Sequence, residues 1–380
     1  MTVHGLVREK RILVCVGPGG VGKTTTAAAA GTLGAAAGRR TLVCTIDPAP
    51  RLADAMGMGP LGSDPREMPA DQARALGIAR DGLLWAVRLD TRRAFAALVE
   101  EQVTDPEMRR RIFTNTIYRQ ITTTLTGSQE YAATLALHRL AARGEWDLIV
   151  LDTPPTAHAL DFLEAPKRIR EAIASPAVRW LAGSGEPEEG GFSLRALRSG
   201  SALLAKRLAK LTGSKFLDDV AAFFVDFRQV LDGFLSRALE IEALLRRPEV
   251  AFLLVLAPEL PAVDEALYFH ARLRDAAIPL QAFVVNRVHA LPGLVDAAAL
   301  ADGLRRHPAL AAMAPAAIEK TAERLARTVL DHGRLRTSER QQIERLSRSA
   351  PGVPIIEVPL LDHDVASLAA LRAVGEHLRT

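Results

Sequence analysis

Seven short apolar segments along the chain have the character of buried β-strands. Several are continuously apolar, a pattern typical of strands that are covered on both faces. Segments with helical patterns separate them, so the sequence predicts an α/β fold with a mostly parallel, doubly wound sheet and crossover helices. The predicted strands span residues 11–17, 41–47, 83–90, 146–154, 251–258, 280–288 and 353–359.

Two long stretches contain no strand pattern and are predicted to be helical. Residues 91–143 have the pattern of three helices, and residues 166–248 have the pattern of several more, interrupted by a mobile loop at 183–191. We expect residues 1–380 to form a single domain. The two helical stretches would then make a helical subdomain on one side of the sheet.

One segment of the second stretch is rich in phenylalanine. Large apolar residues recur every three or four positions between residues 216 and 235, which predicts an amphipathic helix. Such a helix either packs within its own subdomain or against a dimer partner, or forms a groove for a hydrophobic client helix. The apolar positions are Phe216, Val220, Phe223, Phe224, Phe227, Leu231, Phe234 and Leu235.

A basic segment lies directly before this helix. Residues 190–217 contain six basic residues and no acidic residue, with leucines on one predicted face. Two interpretations are open. The segment is a solvated helix face, or it lies on a surface of anionic lipid.

The composition is that of an ordinary soluble globular protein, with 48% hydrophobic and 24% charged residues. No apolar run approaches the roughly 20 residues that a membrane-spanning helix needs, and the first residues lack the pattern of a signal peptide. We therefore expect a cytoplasmic protein, either free or peripheral to the membrane. The net charge is only +4, and no basic cluster is interleaved with aromatic residues, which argues against nucleic-acid binding.

The two cysteines, Cys15 and Cys44, both lie within predicted strands. Cysteines in such surroundings are usually small buried apolar side chains. Neither a disulfide nor bound zinc is expected from them.

A glycine-rich turn, GPGGVGKT at residues 17–24, follows the first predicted strand and precedes the first predicted helix. In this context the pattern G-x-x-x-x-G-K-[ST] indicates a phosphate-binding loop, because glycines let backbone N–H groups converge on phosphate oxygens. Lys23 is expected at the β and γ phosphates, Thr24 at Mg²⁺ and Thr25 at the α phosphate. The residues predicted to hold ATP or ADP here are Gly17, Gly19, Gly20, Val21, Gly22, Lys23, Thr24 and Thr25.

Two aspartates end predicted strands and are candidates for the chemistry of phosphoryl transfer. Asp152 follows the apolar run LIVL, and Asp47 closes TLVCTID. The carboxyl ends of parallel strands are where such sheets bind ligands, so a carboxylate there can hold the metal shell or orient water. The alternative for each residue is an ordinary turn or helix-capping aspartate.

Five segments resemble the ArsA-type anion-transporting ATPases, a family of P-loop ATPases with a modified phosphate loop. The family includes the arsenite-pump ATPase and the eukaryotic ATPase that delivers tail-anchored membrane proteins. The segments occur in the order of the family and are spread over nearly the whole chain. They are GPGGVGKTTT (17–26), TIDPAPRLADAMG (45–57), LDTPPTAHALDFLEAP (151–166), VVNRV (284–288) and VPLLDHDVASLAAL (358–371).

The resemblance implies roles for several residues. Asp47 would lie in a first switch and orient or activate the attacking water, and Asp152 would lie in the outer shell of Mg²⁺ at the start of a second switch. Asn286 would hydrogen-bond the adenine, and the loop at Pro359 and Leu360 would pack on the base. His158, in the second switch, is interpreted as a positioning residue and not as a general base.

The sequence departs from the family at Pro18. Relatives carry a lysine there that reaches the phosphates of the other subunit, and proline has neither the charge nor the donor. We expect either slow hydrolysis or another cation in its place, for which Arg51 in the first switch is the candidate. The chain also lacks the zinc-binding C-x-x-C pair and the arsenite-binding cysteine cluster of relatives.

The resemblance thus implies a Mg²⁺-dependent ATPase that works as a nucleotide-driven switch. The expected assembly is a homodimer, or a heterodimer with a related ATPase subunit. The leading expectation for its action is binding or targeting of a hydrophobic membrane-protein client. The alternatives are an ATPase subunit that energises an anion or arsenite pump, and a regulatory subunit with low turnover.

Overall fold

The structure is a computed structural model of the 380-residue chain. It describes residues 2–153 apart from 81, 117 and 120–127, residues 164–171 apart from 169, and residues 214–379 apart from 291–295, 311, 363, 364 and 366. For residues 128, 129 and 214–229 the description covers the backbone only.

The predicted α/β class is confirmed. All seven predicted strands are present, and an eighth strand, β3, has only two residues. The strands are β1 (Ile12–Val16), β2 (Thr41–Thr45), β3 (Arg66–Glu67), β4 (Leu84–Arg88), β5 (Leu148–Asp152), β6 (Val250–Leu256), β7 (Leu280–Val288) and β8 (Ile355–Pro359).

The eight strands form one sheet in the order β3-β4-β2-β5-β1-β6-β7-β8. Every neighbouring pair is parallel except β3 with β4, which is antiparallel. β1 lies between β5 and β6, so β2 to β5 lie on one side of β1 and β6 to β8 lie on the other. Such a switch in strand order opens a crevice at the carboxyl ends of the strands.

Helices cover both faces of the sheet. They are α1 (Val3–Glu9), α2 (Lys23–Ala36), α3 (Arg51–Ala55), α4 (Ala70–Ala75), α5 (Thr91–Gln102), α6 (Pro106–Thr114), α7 (Ser128–Arg143), α8 (Ser214–Leu245), α9 (Leu260–Asp275), α10 (Ala297–Arg306), α11 (Pro315–Ser349) and α12 (Leu368–His377). The first crossover helix, α2, follows the glycine-rich turn directly and ends at Ala36.

Successive residues of β1 point into two different cores. Ile12 and Val14 pack with α5, α7, α8 and α9, whereas Leu13 and Cys15 pack with α1, α2 and α12. A strand that is buried on both faces must be apolar at every position, and this explains the continuous apolar run. The two cysteines are fully buried, and burial raises the pKa of both thiols, as expected of small core residues.

The described part of residues 91–143 contains α5, α6 and α7 and no strand. The phenylalanine-rich helix lies within α8, and its last residues, 230–235, pack against α5 and α7. The Phe234 ring lies 6.1 Å from the ring centroids of both Phe95 and Tyr131, and the Tyr131 hydroxyl donates to the Phe234 carbonyl over 3.2 Å. Residues 230–235 therefore belong to the protein's own core. The side chains of Phe216, Val220, Phe223, Phe224 and Phe227 lie outside the description.

A third helical stretch between β7 and β8 was not anticipated from the sequence. It contains α10 and the 35-residue α11, which pack on each other through a small apolar cluster of Ala301, Ile318 and Ala322. Much of α11 is exposed and highly charged, so its sequence carries little core signal. None of the described helices combines the length and the apolar character that crossing a bilayer requires.

Candidate functional site

The glycine-rich turn joins the end of β1 to the start of α2. Its backbone passes too close to its neighbours for side chains at two positions. A Cβ at Gly17 would lie 1.9 Å from the Val255 carbonyl oxygen, and a Cβ at Gly22 would lie 2.2 Å from Asn286 Nδ2. Both glycines also have positive φ angles, of 150° and 95°. The turn therefore needs glycine to form against β6 and β7.

Lys23 is the first residue of α2 and is buried, with 7% of its surface exposed. Its ammonium group donates a 2.8 Å hydrogen bond to the Pro18 carbonyl, so the side chain folds back over the turn. Burial lowers the pKa of Lys23, and the negative charges of Asp152 and Glu265 oppose this effect. The turn thus holds a partly desolvated ammonium group, and an anionic ligand can neutralise its charge.

Asp152 lies at the end of β5 and is 2% exposed. Its Oδ2 atom accepts hydrogen bonds from Thr24 Oγ1 at 2.8 Å and Thr45 Oγ1 at 3.0 Å. The strand register places Thr45 and Cys15 directly beside Asp152. Three strand ends and the start of α2 therefore converge on one carboxylate.

The second oxygen of Asp152, Oδ1, is buried and accepts no hydrogen bond from the described residues. A buried anionic oxygen is costly unless a cation or a donor satisfies it. Burial raises the pKa of Asp152 from its ordinary value of 3.8 to about 6, although Thr24, Thr45 and Lys23 oppose the rise. The free oxygen and the raised pKa both indicate a carboxylate that is completed by a ligand.

This raised pKa predicts a pH dependence of stability in the metal-free and nucleotide-free protein. A carboxyl group that binds its proton more tightly when folded stabilises the fold fully below pH 4 and loses that contribution as the pH rises through about 6. The difference between 3.8 and about 6 corresponds to about 3 kcal/mol. Asp152→Asn cannot ionise, so it should unfold at a higher temperature than the wild type at pH 7.5.

The measurement is thermal unfolding of both proteins between pH 4 and pH 7.5. The advantage of Asp152→Asn should grow across this range and level off above about pH 6. An advantage that is the same at all pH values would show that Asp152 does not titrate as described.

Asp47 lies two residues beyond the end of β2, in the turn that precedes α3. Its Oδ1 atom accepts a 2.9 Å hydrogen bond from the Ala49 backbone N–H, which fixes the turn. Its Oδ2 atom is 3.1 Å from Arg51 Nη1, and the side chain of Arg51 is 67% exposed. Asp47 is therefore oriented but still accessible, while Arg51 is free to change partner.

The ends of β7 and β8 bring Asn286, Pro359 and Leu360 to the same edge of the sheet. Asn286 Nδ2 donates a 2.8 Å hydrogen bond to the Val21 carbonyl, which ties β7 to the glycine turn. This bond leaves the carboxamide oxygen able to accept a donor such as an adenine amino group. The Leu360 side chain is 48% exposed, and its N–H bonds the Val288 carbonyl. The predicted adenine contact of these three residues stays a prediction.

Sequence reasoning missed two residues of this site. Thr45 is visible in the sequence only as a polar residue at a strand end. Glu265 on α9 has no motif, yet its carboxylate acts on Lys23, and burial raises its pKa. His158 and most of the second switch lie outside the described residues, as does the basic segment up to residue 213.

Comparison with known proteins gives a match to one family model. Residues 10–177, which contain the glycine turn, Asp47, Asp152 and the motif segments 45–57 and 151–166, match the family described as anion-transporting ATPase. The match covers the strands β1 to β5 and does not reach β7 and β8, which carry Asn286 and Pro359.

Individual relatives match over a similar length. Protein Rv2184c of Mycobacterium tuberculosis is 36% identical over 173 residues, or 44% of this chain and 40% of the relative. Uncharacterized protein SCO2128 of Streptomyces coelicolor is 33% identical over 43% of this chain and 39% of the relative. ATPase ASNA1 homolog 1 of Paramecium tetraurelia is 28% identical over 41% of this chain and 44% of the relative.

The matched part of this chain thus spans less than half the length of these relatives. It is nevertheless the part that carries the glycine turn, Lys23, Asp47 and Asp152. The resemblance indicated by the motifs is confirmed for residues 10–177, which match the model of the anion-transporting ATPase family.

Proposed function

We propose that this chain is a Mg²⁺-dependent ATPase that acts as a dimeric, nucleotide-driven switch for a hydrophobic protein client. The observation that carries the proposal is the convergence of Lys23, Thr24 and Asp152 where the ends of β1 and β5 meet α2. The match of residues 10–177 to the family model supports nucleotide binding. The client and the dimer are inferred from the family resemblance.

The residues present fit a magnesium-bound nucleotide. The backbone of residues 17–22 and the Lys23 ammonium suit a triphosphate, and the Thr24 hydroxyl with the unsatisfied Oδ1 of Asp152 suits hydrated Mg²⁺. When bound, Mg²⁺ would neutralise charge on the phosphate oxygens. We assign the adenine contacts to Asn286, Pro359 and Leu360.

Within this proposal, Asp47 orients the attacking water. Its turn is held by the Ala49 N–H, so the carboxylate is preorganised at the edge where the phosphates would lie. Loss of the γ phosphate would release the two switch segments that follow β2 and β5. The helical subdomain of residues 91–143 and 166–248 would respond to this change within a single domain.

We further propose that Arg51 supplies the cation that Pro18 cannot. Its guanidinium lies 3.1 Å from Asp47, and its charge contributes to lowering the pKa of Lys23, so it lies near the phosphate site. Arg51→Ala should lower kcat for ATP hydrolysis by at least about tenfold with little change in ATP affinity. Steady-state turnover and calorimetry measure the two quantities.

Arg334→Ala is the matched control for Arg51→Ala. Arg334 is also exposed and also pairs with an aspartate at 3.1 Å, but on α11 away from the site. Unchanged kcat in Arg51→Ala would end the assignment. A similar loss in Arg334→Ala would indicate an unspecific effect of removing surface charge.

The function is tested by measuring ATP turnover of the full chain alone, with arsenite, and with a soluble peptide that bears about 20 apolar residues in one helix. Binding of the peptide is measured with and without ATP. ATP-dependent peptide binding, prolonged in Asp47→Asn, is the expected result. Stimulation by arsenite would favour the anion-pump alternative, and tight ATP binding without turnover would favour the regulatory alternative. Absence of any heat on adding Mg²⁺ and ATP would overturn the proposal.

A further inference from the structure

A cavity lies at the amino ends of β1 and β5, whereas the glycine turn lies at the carboxyl end of β1. It has a volume of about 170 Å³ and lies beneath α7 and the last turn of α8. Ile12 and Ile149, at the starts of β1 and β5, form part of its apolar wall with Leu244. Its size is below the roughly 300 to 1,000 Å³ of pockets for drug-sized ligands, so only a small molecule fits.

The wall of this cavity contains an unsatisfied donor. Trp146 lines the cavity and is 5% exposed, and its indole N–H has no acceptor among the described residues. The indole is held in place by the Arg40 guanidinium at 4.8 Å from its ring centroid and by the Trp85 ring at 5.5 Å. A buried tryptophan N–H normally has a partner, so this one is suited to a ligand that brings an oxygen.

The charged groups around the cavity are predominantly positive. Arg11 and Arg247 both line it, and Glu249 lies 3.5 Å from Arg247. Arg11 has no acidic partner among the described residues. Burial, followed by the charge of Arg237, lowers the pKa of His138, so this residue adds no positive charge at neutral pH. One guanidinium is therefore left over for an anion.

Helix ends at the cavity do not oppose an anion strongly. The carbonyl ends of α7 and α8 face this region, and helix carboxyl ends ordinarily repel negative charge. Two of the carbonyls that line the cavity are already occupied, because Ala141 accepts from the Gly144 N–H and Leu244 accepts from the Arg247 N–H. A full guanidinium charge outweighs the remaining partial charges.

We propose that this cavity binds a small organic acid, with its carboxylate at Arg11 and the Trp146 N–H and its apolar body against Ile12, Ile149 and Leu244. A carboxylate supplies the acceptor that Trp146 lacks and the negative charge that Arg11 lacks. An apolar body is required because the remaining wall offers few donors. The site is separate from the nucleotide site and goes beyond the proposed ATPase function.

The test uses benzoate as the probe and benzamide as its neutral analogue. Binding of each compound to the full chain without nucleotide is measured by ligand-observed NMR. Saturable benzoate binding is expected, with benzamide at least about tenfold weaker, since a hydrogen bond to a charged group is worth about 1.5 kcal/mol or more. Arg11→Gln and Trp146→Phe should each weaken benzoate binding about tenfold. Arg324→Gln, an exposed arginine on α11 outside the cavity wall, is the control and should not change it.

Equal affinities for benzoate and benzamide would overturn the proposal, as would an unchanged benzoate affinity in Arg11→Gln. If Trp146→Phe fails to fold, Arg11→Gln alone still decides, because the Arg11 side chain is exposed. Lys23→Met should keep benzoate binding. Benzoate binding in Lys23→Met would show that this cavity acts independently of the proposed ATP site.

Discussion

Lys23→Met should lose ATP turnover by about 10²- to 10³-fold and weaken binding of Mg²⁺ and ATP. Methionine keeps the unbranched shape of the lysine side chain up to Cε but has no ammonium group, so the turn would lose its cation while the buried stem stays filled. The fold should be unharmed or slightly more stable, because burial already disfavours the charged form of Lys23. Calorimetry, turnover and thermal unfolding measure the three effects.

Lys10→Met is the matched control. Lys10 also places its ammonium on a proline carbonyl, that of Pro248, at 2.7 Å, but it is exposed and lies before β1, away from the site. It should leave turnover unchanged. ATP affinity in Lys23→Met equal to that of the wild type would show that the glycine turn does not hold the triphosphate as proposed.

Asp47→Asn should lower kcat by about 10²- to 10⁴-fold while ATP affinity changes little. The asparagine oxygen can still accept from the Ala49 N–H, so the turn after β2 should persist. What is lost is the negative charge that would orient and polarise water. A decrease in kcat without a change in affinity is the signature of a group that acts mainly in the transition state.

Asp54→Asn, on the exposed side of α3, provides the comparison. It removes an equal charge from the same switch segment and should behave as the wild type. If Asp47→Asn instead weakened ATP binding and left kcat intact, Asp47 would have a binding role, and the water-orienting group would have to be sought elsewhere. Arg51→Ala measured in the same series shows whether the Asp47–Arg51 pair acts as a unit.

The strands and the glycine turn could be predicted because their signals are local. A strand that is covered on both faces is apolar along its buried length, and β1 and β6 show this at every position. β3 gave no such signal, since it has two exposed residues at the antiparallel edge. α11 was missed because most of its surface is charged and exposed, so no core stripe runs along its whole length.

The partners within the site could not be predicted, because they depend on which strands become neighbours. Thr45 bonds Asp152 only because β2 lies beside β5, and Asn286 bonds Val21 across 265 residues of sequence. The same is true of the cavity around Trp146, which draws its wall from β1, α7, β5 and the end of α8.

The sequence by itself determined the fold class, the glycine-rich turn between β1 and α2, and the aspartates at the ends of predicted strands, because apolar runs and glycine spacing are properties of consecutive residues. Only the tertiary structure decided that Arg51 pairs with Asp47, that Trp146 and Arg11 line one cavity, and that Asp152 Oδ1 and the Trp146 N–H have no partner among the described residues. These features arise from strand order and side-chain packing. They join residues that no local pattern connects.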